Sequence, residues 1–192
     1  NKDTEVSQML MKLVSFYRLS TKVHDSMVAV RKEVEMLDAY MSLMCYRYSD
    51  IIYRSEIEPG ALDMEIPNFI LQPLLENSLM HGLKDRRYRG TITLKIYRNE
   101  QDKNELNIWL IDDGIGIPDD KMAELNAYNA KDSEALYRVQ TRTEGDRTHL
   151  GVINVISRLK LYYQENAEVI YMRNETGGTT VKIKIKTASE ET

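Results

Sequence analysis

Two pairs of alternating segments restrict the fold of this chain more than any other feature. Polar and apolar residues alternate over 91–99 and over 105–112, and a short polar turn, "EQDKN", separates the two segments. The pattern returns over 167–174 and 179–187, across "ETGG". A period of two predicts strands, and connections this short predict antiparallel hairpins. The sequence therefore predicts a sheet in which most strands run antiparallel.

An apolar stripe upstream of the sheet predicts a helix. Its members have the spacing of one helical face: Val30, Val34, Leu37, Met41, Met44 and Tyr48. A similar stripe begins at Met9, and the N-cap types Asp25 and Ser26 lie between the two, which favours two helices over one rod. The second stripe either packs in the core of this chain or forms a helical stalk or a dimer seam, and the pattern favours neither interpretation.

Further elements alternate with these. One strand and three helices are expected, in the order 50–58, 68–82, 119–129 and 151–164. Gly82 is a natural residue to end the first of these helices, and Pro73 should bend it or leave its first turn separate. Helices mixed with antiparallel strands predict an α+β fold, a two-layer α/β sandwich.

Charge and cysteine content exclude several classes of protein. The net charge of −4 argues against nucleic acid as a partner, because proteins that bind it present basic surfaces. A lone cysteine, Cys45, excludes an internal disulfide framework and a cysteine-rich metal site, and it favours a reducing compartment. No apolar run is long enough to span a bilayer. One basic cluster, residues 83–90, is either a solvated loop or a surface that faces phosphate.

Four places in the sequence could contact a ligand. A predicted strand ends in Asp112, whose carboxylate can accept a hydrogen bond while the glycines after it let a flat ligand approach. Asn77 carries an amide oxygen suited to Mg2+, which takes few protein ligands. Gly151 is expected to open a helix whose free N–H groups suit a phosphate. A hairpin turn explains the glycine pair 177–178. Taken singly, each has an ordinary structural explanation.

The order of these features resembles one superfamily. An asparagine-bearing helix, a strand ending in Asp-x-Gly-x-Gly, a polar lid and a glycine-started helix form the nucleotide site of the GHKL ATPases. More narrowly, three segments resemble the N, G1 and G2 boxes of sensor histidine kinases of the LytS/YesM type: "IPNFILQPLLENSLMHG", "IDDGIGIP" and "HLGVINVISRLKLYY". The segment "GGTTVKIKI" is similar to their closing strand.

The resemblance implies a domain organisation. Residues 1–48 resemble the helical segment that joins the phosphoacceptor region to the ATPase domain, and this region would mediate dimerisation. Residues 49–192 would then form the catalytic ATP-binding domain, a Bergerat-type sandwich with a mixed, mainly antiparallel sheet. Its lid would cover about 118–148.

The resemblance also implies roles for single residues. Asp112 would accept a hydrogen bond from the adenine amino group, with Gly114 and Gly116 giving the base room and Thr179 beneath it. Asn77 would bind Mg2+ that bridges the ATP phosphates. Other implied nucleotide contacts are Gly151, Val152, His81, Lys84 and the lid arginines Arg138, Arg142 and Arg147. Glu76 could orient a water or the metal shell, which is the only catalytic role suggested.

The chain departs from the family pattern at several positions. Met80 stands where a lysine commonly precedes His-Gly, Asp113 where asparagine is usual, and His149 where the G2 box has its first glycine. The Pro-His-Phe motif of the family's phosphoacceptor is absent, and neither His24, His81 nor His149 is assigned that role. We therefore expect the chain to be the cytoplasmic, C-terminal catalytic piece of a longer, membrane-anchored bacterial sensor.

The implied function is that of a two-component sensor histidine kinase. The domain would transfer the γ-phosphoryl of ATP to a histidine on an upstream helix, in a homodimer, for relay to a response regulator. The alternative is a regulatory nucleotide-binding module of the same fold without kinase activity. A hydrolysing ATPase is disfavoured, because Pro73 stands where such enzymes place an acidic base, one turn before the asparagine. A purely structural dimerisation domain would make the four ordered motifs a coincidence.

Overall fold

The computed structural model describes residues 26–131, 135–136 and 147–187. In chain order its main elements are β1 (Met27–Ala29), α1 (Val30–Arg47), β2 (Ile51–Ile57), β3 (Glu65–Pro67), α2 (Leu71–Asn77), β4 (Gly90–Arg98), β5 (Glu105–Asp112), α3 (Asp119–Ala127), α4 (Arg147–Tyr163), β6 (Ala167–Arg173) and β7 (Thr179–Lys186). None of the helices in these ranges is both long enough and apolar enough to cross a bilayer.

A five-stranded sheet runs through the molecule in the order β2-β4-β5-β7-β6. The pair β2 and β4 is parallel, and the other three neighbouring pairs are antiparallel. The two hairpins that the alternation predicts, β4 with β5 and β6 with β7, are both present. The prediction of a mixed, mainly antiparallel sheet in an α+β fold is confirmed.

The alternation in the strands separates the two faces of the sheet. The side chains buried under the helices are Ile92, Leu94 and Ile96 of β4, Leu106, Ile108 and Leu110 of β5, and Val181, Ile183 and Ile185 of β7. Burying each of these side chains contributes about 1.5–3 kcal/mol, which stabilises the packing of the helices on this face of the sheet. On the other face the Trp109 ring packs against Tyr97 and lies 4.1 Å from the Lys182 ammonium. The result is a two-layer sandwich.

Helix α1 packs in the core of this chain. Four residues of its stripe, Val30, Val34, Leu37 and Met41, are at most 7% exposed and belong to the same hydrophobic cluster as the inner face of the sheet. This answers the question that the pattern left open, because a buried stripe is not available as a seam with a second chain. The division of the chain after residue 48 stays a prediction.

The start of α1 differs from the expected one. The helix begins at Val30, and its N-cap, Ala29, makes no side-chain capping bond. Instead of a cap at Ser26, the short strand β1 precedes the helix and pairs antiparallel with β3, with Val28 opposite Ile66. A strand of three residues is too short to show a period of two, so the alternation pattern could not predict it. The stripe that begins at Met9 lies outside the described residues.

Helix α2 also differs from its prediction. It begins at Leu71 rather than near Asn68, so Pro73 lies in the first turn, where its missing N–H costs no helical bond. Pro73 therefore neither bends nor divides the helix. Gly82 does not end it either, because the chain continues through a π-helical turn, Ser78–Leu83.

Candidate functional site

A cavity of about 340 Å³ lies between the helix layer and the ends of β5 and β7. Its size falls within the range of small-molecule sites, which are mostly apolar with a few placed polar groups. The apolar wall includes Leu74, Ile115, Ile117, Leu125, Val152, Tyr171 and Val181. Polar or charged lining residues are Asn77, Ser78, His81, Asp85, Asp112, Lys121 and Thr179. The cavity can thus hold a flat apolar group and contact it at selected polar atoms.

Asp112 is the most buried acid in the cavity wall, with 2% of its surface exposed. Its Oδ1 accepts hydrogen bonds from the N–H of Gly114 (3.0 Å) and of Thr179 (3.2 Å). Its Oδ2 accepts one from the Ser78 hydroxyl (2.9 Å). A carboxylate oxygen has room for two donors, so Oδ2, which has one among the described residues, can accept another from a ligand. Asp112 is therefore held in place, and the described residues leave one acceptor site on its Oδ2 to a ligand.

Burial raises the pKa of Asp112 above its ordinary value of 3.8, although the hydrogen bonds from Gly114, Ser78 and Thr179 oppose the rise. A carboxyl whose pKa is raised in the folded state stabilises the fold below its ordinary pKa, and this stabilisation is lost as the pH rises through the folded value. The free energy of unfolding of the wild type, relative to Asp112→Asn, should therefore increase as the pH falls from neutral. Urea unfolding of the wild type and of Asp112→Asn, near pH 7 and at about pH 4.5, measures this difference in the free energy of unfolding. A difference that does not change with pH would contradict the raised pKa.

Glycines let three segments of backbone meet around Asp112. A side-chain carbon at Gly114 would overlap the carbonyl of Gly82, which accepts the Ile115 N–H at 3.1 Å. A side-chain carbon at Gly178 would overlap the carbonyl oxygen of Asp112. A hairpin turn is therefore not the full explanation of the 177–178 pair, since Gly178 packs directly on the strand that ends in Asp112.

The other residues of the G1 segment divide between the cavity and the fold. Gly116, with a φ of 75° that favours glycine, lines the cavity, whereas Gly114 is not part of the cavity wall. Asp113 faces away from the site: its Oδ1 accepts the Thr91 N–H at 2.8 Å, and Arg86 contacts its carbonyl oxygen. The two neighbouring acids thus have different roles, one in the cavity and one at the start of β4.

Asn77 lies half-buried at the end of α2 and lines the cavity. In the described ranges its side chain has no hydrogen-bond partner, so its amide oxygen is available to a ligand. Glu76 is not part of the cavity wall, and its Oε1 accepts a hydrogen bond from Gln72 Nε2 at 2.9 Å, along the helix. The structure brings Asn77 to the site but not Glu76.

Only some of the residues predicted to contact phosphate lie in the cavity wall. Helix α4 begins at Arg147, so the prediction that Gly151 opens it is wrong: Gly151 is the fifth residue, and its N–H lies within the helix. Gly151 packs near Pro73, outside the cavity wall, whereas the next residue, Val152, is in the wall. His81 lines the cavity and is exposed, and Lys84 is exposed outside the wall.

Only part of the predicted lid lies among the residues that the structure describes. Of the predicted 118–148 segment, α3 covers Asp119–Ala127 and supplies Leu125 to the cavity wall. Arg138, Arg142 and the side chain of Arg147 lie outside the described residues, so their roles stay predictions. Met80, where a lysine is common, is 47% exposed at the cavity wall and its sulfur lies 3.7 Å from the Tyr88 hydroxyl.

The basic cluster 83–90 resembles a solvated loop more than a phosphate-facing surface. Arg89 forms an ion pair with Asp50 at 3.2 Å, and Arg86 forms one with Asp113 at 3.7 Å. The four side chains are partly or largely exposed to solvent. Both guanidinium groups thus have protein partners.

Two contacts to Asp112 were not expected from the sequence. Ser78 donates to its carboxylate, and Asn174 Nδ2 donates to its backbone carbonyl at 2.8 Å. Ser78 directly follows Asn77 in the motif and could have been proposed from that position. Asn174 is an ordinary turn residue in the sequence, and nothing local indicates its contact.

Comparison with known families gives two matches. The profile described as histidine kinase-, DNA gyrase B-, and HSP90-like ATPase matches residues 66–189, and the profile described as histidine kinase matches residues 1–52. The chain is 33% identical to the sensor protein LytS of Oceanobacillus iheyensis over 91% of its own length. It is 25% identical to the sensor histidine kinase YpdA of Escherichia coli over 96%. It spans only 28% and 29% of those two proteins.

Two solved histidine kinase structures have a similar fold. The mycobacterial sensor histidine kinase MprB aligns with a TM-score of 0.55 at 15% identity, over 85% of this chain and 97% of that one. The histidine kinase domain of a blue-light activated kinase from Erythrobacter litoralis aligns with a TM-score of 0.55 at 18% identity, over 95% and 74%. At these identities the likeness concerns the fold alone.

Proposed function

The chain belongs to the family of histidine kinase-, DNA gyrase B- and HSP90-like ATPases, and from this premise we propose that it is the ATP-binding catalytic domain of a sensor histidine kinase. In this proposal it transfers the γ-phosphoryl of ATP to a histidine on another helix of a longer protein. The observation that carries the proposal is the Asp112 carboxylate, buried at the wall of an apolar cavity, whose Oδ2 accepts one hydrogen bond from the described residues and has room for a second.

Adenine fits this arrangement chemically. Its flat ring suits the apolar wall, and its exocyclic amino group is a donor that the free site on Asp112 Oδ2 can accept. The Ser78 hydroxyl and the two backbone N–H groups hold the carboxylate before any ligand arrives, so little reorganisation accompanies binding. Thr179, 4% exposed, lies at the same end of the sheet.

The residues present also suit Mg2+ carried with the nucleotide. Among the described residues no group of three or more histidine, cysteine or acidic side chains could hold a metal by itself. Mg2+ usually takes one or two protein ligands and completes its shell with phosphates and water. Asn77, at the cavity wall, would be such a ligand. Bound there, Mg2+ would neutralise charge on the phosphates.

The protein's contribution to the reaction would be mainly positioning. Phosphoryl transfer depends on alignment of donor and acceptor and on charge neutralisation more than on covalent help from the enzyme. The cavity would orient the base and ribose so that the phosphates extend past Asn77 and His81 towards the acceptor. A catalytic role for Glu76 has no support from its position, because it hydrogen-bonds to Gln72 away from the cavity.

The partners are part of the proposal. The phosphohistidine would pass its phosphoryl group to an aspartate of a response regulator, the relay expected of a two-component sensor. A homodimer would not use the stripe of α1, which is buried in this chain's own core, so any seam would involve residues 1–25 or exposed surfaces. Membrane anchoring of the longer protein stays a prediction.

A transfer assay tests the proposal. The chain is mixed with γ-labelled ATP, Mg2+ and a separately prepared acceptor-helix fragment of the longer protein. We expect acid-labile, base-stable label on the fragment and none on His24, His81 or His149. Asn77→Ala should lower the rate about tenfold or more, since it removes the proposed Mg2+ ligand. Asn107→Ala, on the outer face of the sheet, should leave the rate within about twofold.

Two outcomes would overturn parts of the proposal. Tight ATP binding without transfer, under conditions in which the intact longer protein becomes labelled, would favour the regulatory nucleotide-binding module. Absence of ATP binding by a folded chain would overturn the nucleotide site itself.

A further inference from the structure

Helix α2, which carries Asn77, begins without a cap of its own. Its N-cap residue, Ile70, makes no side-chain capping bond, and no acid occurs in the first turn. The N–H groups at a helix start have no partner within the helix, and leaving them unbonded inside a protein costs free energy. Phe69, just before, adopts a φ of 58°, a left-handed conformation that is strained for a residue other than glycine. Acceptors for these N–H groups must therefore come from another part of the chain.

Glu33 of α1 supplies the missing acceptors from a distant part of the chain. Its Oε1 accepts the N–H of Phe69 at 2.7 Å, and its Oε2 accepts those of Ile70 at 3.1 Å and Leu71 at 3.2 Å. Only 2% of Glu33 is exposed. One carboxylate thus caps α2 and fixes the strained residue before it, which a capping side chain normally does from within the same segment.

The same contact joins three elements around the site. Arg158 of α4 donates to the carbonyl of Asn68 and interacts electrostatically with Glu33. Upstream of Glu33, strand β1 pairs with β3, so the chain before α1 is bound to the chain before α2 as well. At the far end of α2, Leu74 and Asn77 line the cavity and Ser78 donates to Asp112. A shift at the start of α2 would therefore move groups at the ligand site.

We propose that Glu33 is a positioning residue for the nucleotide site: by capping α2 from α1, it sets the position of Asn77 and Ser78 and couples α1 to nucleotide binding. This inference rests on the proposed function. The inference adds to the proposed function that a residue outside the motifs of the cavity wall controls where the site residues lie.

Burying the Glu33 carboxylate costs free energy, which is consistent with a role beyond stability. Burial raises the pKa of Glu33, although the three N–H groups and Arg158 favour the ionised form. Apolar side chains that replace buried ionic groups often leave stability unchanged or improved. A carboxylate at this place does what an apolar side chain cannot, which is to bind three backbone donors at defined positions.

Glu33→Gln tests the inference with little change in side-chain volume. The amide keeps one acceptor oxygen and puts an N–H2 group where Oε1 or Oε2 received a donor, so at least one backbone N–H loses its partner. We expect the Kd for ATP to rise about tenfold or more at a temperature where circular dichroism shows the variant to be folded. The matched control is Asp38→Asn, the same chemical change on the same helix, beside Tyr53 of the sheet instead of α2. Its Kd should stay within about twofold of the wild type.

A measurement on the unaltered chain keeps the inference testable if Glu33→Gln does not fold. Since coupling is reciprocal, ATP binding should strengthen the cap in turn. Saturating ATP should therefore slow hydrogen exchange at the amides of Phe69, Ile70 and Leu71, measured by NMR. Unchanged exchange at all three amides, or a folded Glu33→Gln variant with wild-type affinity, would overturn the inference while leaving the proposed function intact. A folded wild type that does not bind ATP would instead overturn the proposed function.

Discussion

Asp112→Asn is expected to raise the Kd for ATP about 100-fold without unfolding the domain. The variant keeps an oxygen in the position of Oδ1, where it can still accept the N–H groups of Gly114 and Thr179. Its N–H2 group then takes the place of Oδ2, and the Ser78 hydroxyl can rotate to accept from it. The adenine amino group meets a donor instead of an acceptor, and the charge that strengthened the contact is gone. Isothermal titration calorimetry measures the change.

Two controls make this result specific to the base. Asp113→Asn removes the neighbouring acid, which binds Thr91 and Arg86 away from the cavity, and should change the Kd by no more than about twofold. ITP, whose base carries an oxygen where adenine carries the amino group, should bind Asp112→Asn relatively better than it binds the wild type. Equal ATP affinity of Asp112→Asn and wild type would show that Asp112 does not contact the base.

Gly178→Ala is expected to lower the free energy of unfolding by about 3 kcal/mol or more. The added carbon would overlap the carbonyl oxygen of Asp112 and crowd the N–H of Gly114, and both are backbone atoms that cannot rotate away. Strand β7 must then move from the end of β5, which also breaks the Thr179 bond to Asp112. Urea unfolding gives the stability, and titration with ATP should show weakened binding in the same variant.

The adjacent glycine provides the matched control. Gly177 has a φ of 85°, and a carbon added there meets no other atom within 4 Å. Gly177→Ala should therefore cost only the left-handed conformation, about 1–2 kcal/mol, and leave ATP binding nearly unchanged. Equal losses of stability in the two variants would mean that the contact of Gly178 with Asp112 is not what requires a glycine.

The sequence predicted the sheet better than the helices. The alternation in β4, β5, β6 and β7 is strong because each of these strands has one face under the helices and one outside. The other helix starts were predicted poorly, although α3 begins at Asp119 as expected. Gly151 is a plausible first residue, yet α4 begins at Arg147. The apolar pattern did not show this start, because residues 147–149 are all polar in the sequence. A proline inside a helical pattern predicted a bend or a separate first turn at Pro73, but the helix begins only at Leu71, which places Pro73 in its first turn.

The site, too, was predicted only in part from the sequence. The positions of Asn77, Asp112, Thr179 and Gly116 in the cavity wall agree with the ordered motifs, although their roles with ATP stay predictions. Glu76 was proposed because it adjoins Asn77, but neighbours in a helix point in different directions, and its side chain hydrogen-bonds along the helix instead. Ser78 could have been proposed only from its place beside Asn77 in the motif, and nothing local in the sequence indicated the contacts of Glu33.

The apolar faces of the strands and of α1, and the order of the motifs, can be read from the sequence, because periodicity and motif spacing are local properties of the chain. That the stripe of α1 is covered by this chain's own core, and that Glu33 caps α2, follows from the tertiary structure alone. It alone brought Ser78 and Thr179, which are 34 and 67 residues from Asp112, onto one carboxylate. Such contacts depend on how distant elements pack, and a buried polar atom takes whichever partner that packing brings within reach.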